Sequence, residues 1–346
     1  MPASGARPVL LWLYTGCVLI ACMVVLGGIT RLTGSGLSIT EWKPIMGALP
    51  PMNQVEWNSA FKKYKAIPEY ALVNQHLDVA GFKRIFFWEY LHRNWGRLIG
   101  LSFAVPFFIF WRRGWLMGWL FKRALVILVA GGLVGALGWF MVMSGLEENP
   151  DVSQYRLAIH LCAAFAVFCL VLWTAFDLRD GRRGFRAATS TGKLARWILP
   201  VLLIQIIWGA FTAGLDAGRI YNTWPLMNGE FMPANVRAFG SSIKDFTDHK
   251  DGVQFVHRSF AYVVAASVLW FAWRVRKSGT IASIARIAAV MVLVQFTLGV
   301  ATLLTQVALP LALLHQLGAL ALLAIWLLLL HRTGQLVDTK EVNNDR

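Results

Sequence analysis

Among the 346 residues, 57% are hydrophobic and only 15% charged, with 16 tryptophans and a mean hydropathy of +0.56, which excludes a water-soluble globular domain. The net charge of +15 does not mark a nucleic-acid binder, because the basic residues lie in short segments beside apolar stretches and form neither one patch nor an aromatic-interleaved arm. The composition predicts an all-α polytopic membrane protein.

Apolar runs predict eight spans, at 9–29, 86–110, 124–143, 155–176, 195–215, 253–273, 281–304 and 308–330, each close to the roughly 20 residues that cross a bilayer. Span one leads into a long loop at 31–85, SGLSITEWKPIMGALPPMNQVEW at its start, where Trp, Pro and Gly suit an ordered interfacial cap. Span two opens with EYLHR and contains Glu89, His92 and Arg93. After it come Arg112, Arg113, Lys122 and Arg123. Span three is rich in glycine (Gly131, Gly132, Gly135, Gly138), as is span two (Gly96, Gly100), a small-residue pattern expected to serve close helix packing. The loop before span four is acidic, with Glu147, Glu148 and Asp151, and span four carries His160.

A basic segment at 177–194 then reads as a linker, and the pattern begins again. Span five is followed by RIYNTWPLMNGEFMP, span six contains His257 and Arg258, the segment after it holds Arg274, Arg276, Lys277 and Arg286, and span eight contains His315. EYLHRNWGR at 89–97 answers QFVHRSFAY at 254–262, RLAIHLCAA at 156–164 answers LALLHQLGA at 311–319, and GGITRLTGSG at 27–36 faintly matches GAFTAGLDAG at 209–218. Residues 1–176 and 195–346 are thus predicted to be two four-helix bundles related by a pseudo-twofold axis along the membrane normal. The clustering of Lys and Arg places both termini and the basic loops in the cytoplasm.

All four cysteines, Cys17, Cys22, Cys162 and Cys169, fall within spans and read as small buried hydrophobes, with no structural disulfide expected. His76, His249 and His331 read as surface residues. The other four histidines are different. An imidazole in hydrocarbon is costly unless it binds something, and His92, His160, His257 and His315 recur in repeat register near the outer ends of spans two, four, six and eight. Two imidazoles at matching depth on the second and fourth helices of a bundle are the donor set of a bis-histidine haem, and the repeat supplies two such sites. Three or four residues from each histidine the spans offer few further donors, which disfavours zinc or copper. No CxxCH occurs, so a haem would be held by ligation and shape.

The halves differ at one polar position: Glu89, three residues before His92, is replaced in the second half by Gln254. An acid beside one haem and an amide beside the other suggests one reactive and one electron-holding site, although Glu89 could equally be paired with Arg93, Arg97 or Lys83. Arg93 and Arg258, each next to a histidine, suit haem propionates, with snorkelling to headgroups as the alternative. On the residues alone a di-haem cytochrome b-like quinol oxidoreductase and a haem transporter stay open beside an enzyme.

The EYLHR motif at 89–93, the His257–Arg258 pair, His160, His315 and the two tryptophan-proline loops together resemble the haem A synthase family from about Gly27 to His331. The resemblance implies an enzyme for cytochrome oxidase biogenesis that oxidises a ring methyl of haem O, through an alcohol and a second oxidation level, to the formyl of haem A. It implies that Glu89, His92 and His160 form the haem O site of the first half, and that His257 and His315 ligate a resident haem B. Some members carry a cysteine pair in an outer loop; this chain resembles the cysteine-free class of proteobacteria and mitochondria. The expected partners are the lipid bilayer, the farnesyltransferase that makes haem O and an unidentified electron donor, with a homo-oligomer open and no nucleic acid. Without a long Arg- and Ser-rich presequence, the bacterial inner membrane is the expected location.

Overall fold

The computed structural model describes residues 3–43, 46–147 and 150–336; Glu148 of the acidic loop lies outside them. Eight helices of 24 residues or more dominate the described chain: α1 (Ala3–Leu32), α4 (Val79–Arg112), α5 (Gly118–Met143), α6 (Gln154–Asp180), α7 (Ser190–Gly214), α9 (Lys250–Arg274), α10 (Gly279–Leu304) and α11 (Leu309–Arg332). All coincide with the apolar runs. Seven are long and apolar enough to cross a membrane. The exception is α4, whose length suffices but whose apolar stretch is interrupted by Arg93, Asn94 and Arg97.

Between α1 and α4 lie α2 (Gln54–Tyr64) and α3 (Pro68–Leu72), and before α9 lies α8 (Ser242–Thr247). These short helices build the loop-rich end of the molecule. The start of α4 is set by Asp78, whose side chain accepts from the Gly81 amide at 2.7 Å and satisfies one of the orphan donors of the first turn. This cap begins the helix seven residues before the expected boundary at 86, and the added turns have their own apolar core. Phe82 and Phe86 pack there against Phe61, Tyr64 and Leu37, so the cap is fixed to the helix that carries Glu89 and His92.

The long helices pair in a similar order on either side of the segment at 177–194. α1 packs on α4 and α5 on α6; correspondingly, α7 packs on α9 and α10 on α11. α5 and α10 both run for 26 residues from a glycine in the left-handed region, Gly118 and Gly279 (φ +53° and +51°). The halves meet where α6 lies against α7 and α11, and α1 against α11. Two apolar clusters fill the interior, one around Trp12, Phe103, Phe165 and Phe168, the other around Val268, Phe271, Trp326 and Leu330.

At the end opposite the loops, β1 (Arg183–Ala187) pairs antiparallel with β2 (Gly334–Leu336), tying the basic segment to the stretch that follows the last helix. His331 is not a surface residue. It is fully buried, its Nε2 is 3.0 Å from Asp177 Oδ1, and the Trp173 and Phe176 rings pack on it. Asp177 also accepts from the Arg183 amide at 3.0 Å and lies 3.5 Å from Arg123, so one buried carboxylate joins α5, α6, β1 and α11. His76 is exposed and His249 half-buried against Phe239. The four cysteines are free thiols, with Cys17 buried in the first apolar cluster and Cys22 exposed on α1.

Candidate functional site

A cavity of about 1170 Å³ extends through both halves and is lined by His92, His160, His257 and His315 together. It exceeds the roughly 300–1,000 Å³ of ordinary small-molecule sites. Each histidine faces a glycine on the preceding helix of its pair. A Cβ at Gly27 would lie 3.5 Å from the His92 ring, at Gly138 3.0 Å from His160, at Gly209 3.1 Å from His257, and at Gly299 2.9 Å from His315. Four imidazoles are therefore seated by the same device, a missing side chain that lets ring and helix backbone approach.

In the second half the imidazoles of His257 and His315 stand with centroids 6.3 Å apart and planes at 86°. Two metal–nitrogen bonds of about 2 Å, set end to end between opposed imidazoles, require a centroid separation of about 6 Å. Among the described residues no three His, Cys, Asp or Glu side chains converge as a protein-only metal cage. Paired imidazoles without further donors fit an iron whose equatorial positions are filled by a macrocycle.

Glu89 lies on the same face of α4 as His92, one turn towards the cap, and is almost completely buried. Its Oε2 accepts from Ser38 Oγ and from the Ile39 amide, both at 2.7 Å; its Oε1 accepts from Arg93 Nε at 2.9 Å and Nη2 at 2.6 Å. All four donors suit the ionised carboxylate. Of the three partners open to Glu89, the structure selects Arg93. Gln254, its counterpart, is as deeply buried but donates only to the Tyr221 carbonyl at 3.2 Å and leaves its Oε1 unpartnered.

Arg93 and Arg258 both face the cavity and both hold the loop of their own half. Arg93 donates to the Ile39 and Glu41 carbonyls at 2.7 and 3.0 Å, and Arg258 to those of Thr223 and Pro225 at 2.8 and 3.2 Å. The tryptophan-proline loops are thereby anchored to the helices that carry the first histidine of each pair. In the first half Trp42 stacks on Trp139 at 6.0 Å; in the second, Trp224 packs edge-on to Phe296 and donates to the Tyr262 hydroxyl at 3.0 Å.

Of the six glycines expected to serve close packing, Gly96 meets Met23 of α1 and Gly138 seats His160, but the other four do something else. Gly100, Gly131, Gly132 and Gly135 have no atom within 4 Å of where a side chain would begin, and they line the cavity. Their counterparts in the second half are Ala265, Val292, Leu293 and Phe296. Sequence reasoning also missed Ser38, Gln205 and Gln295. The two glutamines had left a signal, since each stands in an apolar helix four residues before the histidine-facing glycine, as QIIWG and QFTLG, where an amide is costly without a task.

Residues 10–327 match the family model described as "Cytochrome oxidase assembly protein". The chain is 46% identical over 336 residues to the Heme A synthase of Flavobacterium johnsoniae, covering 95% of this chain and 98% of that one. It is 44% identical to the Heme A synthase of Rhodospirillum centenum, over 95% of this chain and 90% of that protein, and 44% identical to that of Parvibaculum lavamentivorans, over 94% of each. With the histidine pairs and the EYLHR carboxylate in place, the chain belongs to the haem A synthase family of cytochrome oxidase assembly proteins.

Proposed function

We propose that this chain oxidises haem O to haem A in a bacterial inner membrane, with haem O bound in the first half between His92 and His160 and haem B resident in the second between His257 and His315. The observation that carries this reading is one cavity with two histidine pairs, of which a single pair has a buried carboxylate beside it. All eight long helices span the membrane in this reading, as two four-helix bundles with both termini in the cytoplasm. α4 crosses with its charged residues turned to the cavity and the loops, where Arg93 and Glu89 satisfy each other.

Haem B, held by His257 and His315, supplies reversible one-electron chemistry when bound. The glycine wall supports the choice of the first half for substrate. Haem O carries a long hydroxyethylfarnesyl chain that haem B lacks, and open space beside Gly100, Gly131 and Gly135 gives a prenyl chain room that Val292 and Phe296 fill in the other half. Such a mostly apolar macrocycle enters from the lipid. Because both oxygens of Glu89 are already occupied by donors, this residue serves as a fixed negative charge at the substrate edge, favouring a transition state that develops positive charge. Ser38, the Ile39 amide and Arg93 hold that charge in place and exclude water from it.

Arg93 and Arg258, both on the cavity wall, would face the propionates of bound macrocycles. With their donors directed at loop carbonyls, they attract carboxylates mainly through their charge. No cysteine stands in the loops at 31–85 or 216–252, so a route for electrons through loop thiols has no residues to carry it, and the donor is open. The upstream farnesyltransferase is the natural source of substrate. The test is chromatography of acid-extracted haems from cells that make haem O but no haem A, with and without this protein expressed. Haem A or its alcohol precursor is expected; unchanged haem O in cells that contain folded, haem-loaded protein would overturn the reading.

A further inference from the structure

Four acidic side chains are buried among the described residues, and three of them have partners that hold their charge. Glu89 and Asp177 each have an arginine, and Asp245 accepts from the Phe239 amide at 2.8 Å. Glu69 on α3 has neither. Among the described residues its one donor is the Tyr64 hydroxyl, 3.0 Å from Oε2, and that hydroxyl is itself held by Asn74 Nδ2 at 2.7 Å. A buried acid without a cation is costly as the anion, so its place in the fold calls for a reason.

That place is the cavity wall. Glu69 and Val73 of α3 line the cavity at its loop-rich end together with Asp151 of the acidic loop, and Glu89 lines it from α4. Glu69 is buried and Asp151 is exposed, so the two carboxyls stand on the way from the interior to the outer water. The groups that face Glu69 are Tyr64 from α2, Glu89 from α4 and Asp151. Burial lifts its carboxyl to about 7; the bond from Tyr64 opposes the rise, and the charges of Glu89 and Asp151 add to it. Burial and the neighbouring carboxyl also push the Tyr64 hydroxyl up, so it stays protonated and a donor. Near neutral pH both forms of Glu69 are populated, the condition under which a carboxyl passes a proton in either direction.

Oxidation of a ring methyl moves protons whatever supplies the oxygen. With water as the source, methyl and water give the alcohol, two protons and two electrons, the electrons passing to a one-electron acceptor. With dioxygen as the source, methyl, dioxygen, two protons and two electrons from a donor give the alcohol and water. In both forms two protons cross between the cavity and the outer phase. Glu89 is unsuited to carry them, because both of its oxygens are occupied by donors. We infer that Glu69 is the proton-transfer residue of this oxidation, passing protons between water in the cavity and the outer face, with Asp151 at the mouth. Only O–H bonds change in the step: a cavity water gains or loses a proton as the Glu69 carboxyl loses or gains it, and solvent beyond Asp151 restores the carboxyl. The inference rests on the reading that haem O is oxidised in the first half.

The experiment uses full-length protein purified with haem B and supplied with haem O, compared with Glu69→Gln, Glu69→Asp and Tyr64→Phe. The readouts are turnover against pH and, in the same haem-loaded protein, the infrared C=O band of a protonated carboxyl against pH. The wild type is expected to show a bend in turnover and a band that titrates, both near pH 7. Glu69→Gln is expected to lose both and to turn over about 10- to 100-fold more slowly. Glu69→Asp is expected to keep both, and Tyr64→Phe, which removes the donor to the carboxylate, to move both to higher pH. A cap that merely loosened would lower the rate without moving the bend, so the tyrosine variant decides the matter if the glutamine variant does not fold. Wild-type turnover and pH profile in Glu69→Gln, or a bend left in place in both Glu69→Gln and Tyr64→Phe, would overturn the assignment. The two ideas separate in the wild type: if it makes no haem A the assigned function fails, whereas if it makes haem A and the variants change nothing, only the role of Glu69 fails.

Discussion

The two halves of the cavity are built on one plan and finished differently. In each, a glycine on the first helix of a pair seats a histidine on the second, and the arginine after the leading histidine fastens a tryptophan-proline loop over the top. The first half then adds a buried carboxylate with four donors and leaves a glycine wall open. The second replaces the carboxylate with an under-bonded amide, fills the wall with Val292 and with Phe296 packed against Trp224 and Tyr262, and gives each histidine a glutamine. The difference teaches that the means of seating imidazoles is common to the two halves, while the space and charge around them differ, and the proposed division between turnover and retention rests on that difference.

The comparison can be broken most severely at Glu89. Glu89→Gln gives the first half the second half's side chain, and turnover of haem O is expected to fall about 100-fold or more. Because Arg93 then loses its buried partner, the haem B absorption spectrum serves as the control for folding; activity near that of the wild type would remove the carboxylate from the account. Gly135→Phe copies Phe296 into the open wall. It is expected to cut haem O occupancy about tenfold or more, a steric block in a cavity that cannot relax without moving helices, with haem B content unchanged; equal binding of haem O would show that the prenyl chain lies elsewhere.

The joint between the halves offers a third lever. Asp177→Ala leaves His331 and Arg123 without their shared buried partner, and a loss of about 3–5 kcal/mol is expected, measured as a lowered unfolding midpoint in detergent. Loss of less than about 1 kcal/mol would mean that the β1–β2 pairing alone holds that end.

The smallest effect belongs to the cap. Burial lifts the Glu69 carboxyl to about 7, Glu89 and Asp151 add to the rise, and the Tyr64 hydroxyl that donates to it at 3.0 Å opposes it. The folded cap therefore holds this proton more tightly than the unfolded chain. Its stability is full below the ordinary value of 4.5, falls as the pH rises towards about 7 and levels off above. Protection of the amides in 54–82, as exchange relative to that of an unstructured chain at the same pH, is expected to fall across that window, and Glu69→Gln to flatten the profile; a profile that keeps its slope in the variant would assign it to another group.

Much of this architecture is legible in the sequence, because hydropathy reports spans directly and an imidazole in hydrocarbon is conspicuous. The eight long helices fall where the apolar runs place them, and the four histidines meet in one cavity. What stayed hidden depends on long-range partners. The engagement of Glu89 by Ser38 and Ile39 requires the loop to fold back over α4. The burial of His331 requires the last helix to end beside Asp177, and hydropathy is silent on that. The glycines misled for a physical reason, since a small-residue stripe looks the same whether a helix or a void faces it.

The most direct test of the division between the halves is the haem content of purified paired variants, His92→Ala and His160→Ala against His257→Ala and His315→Ala, produced in cells that supply haem O. The account predicts that the first pair keep haem B at the wild-type level and make no haem A, and that the second pair lose haem B. Loss of haem B from the first pair with retention in the second would contradict it and exchange the roles of the two sites.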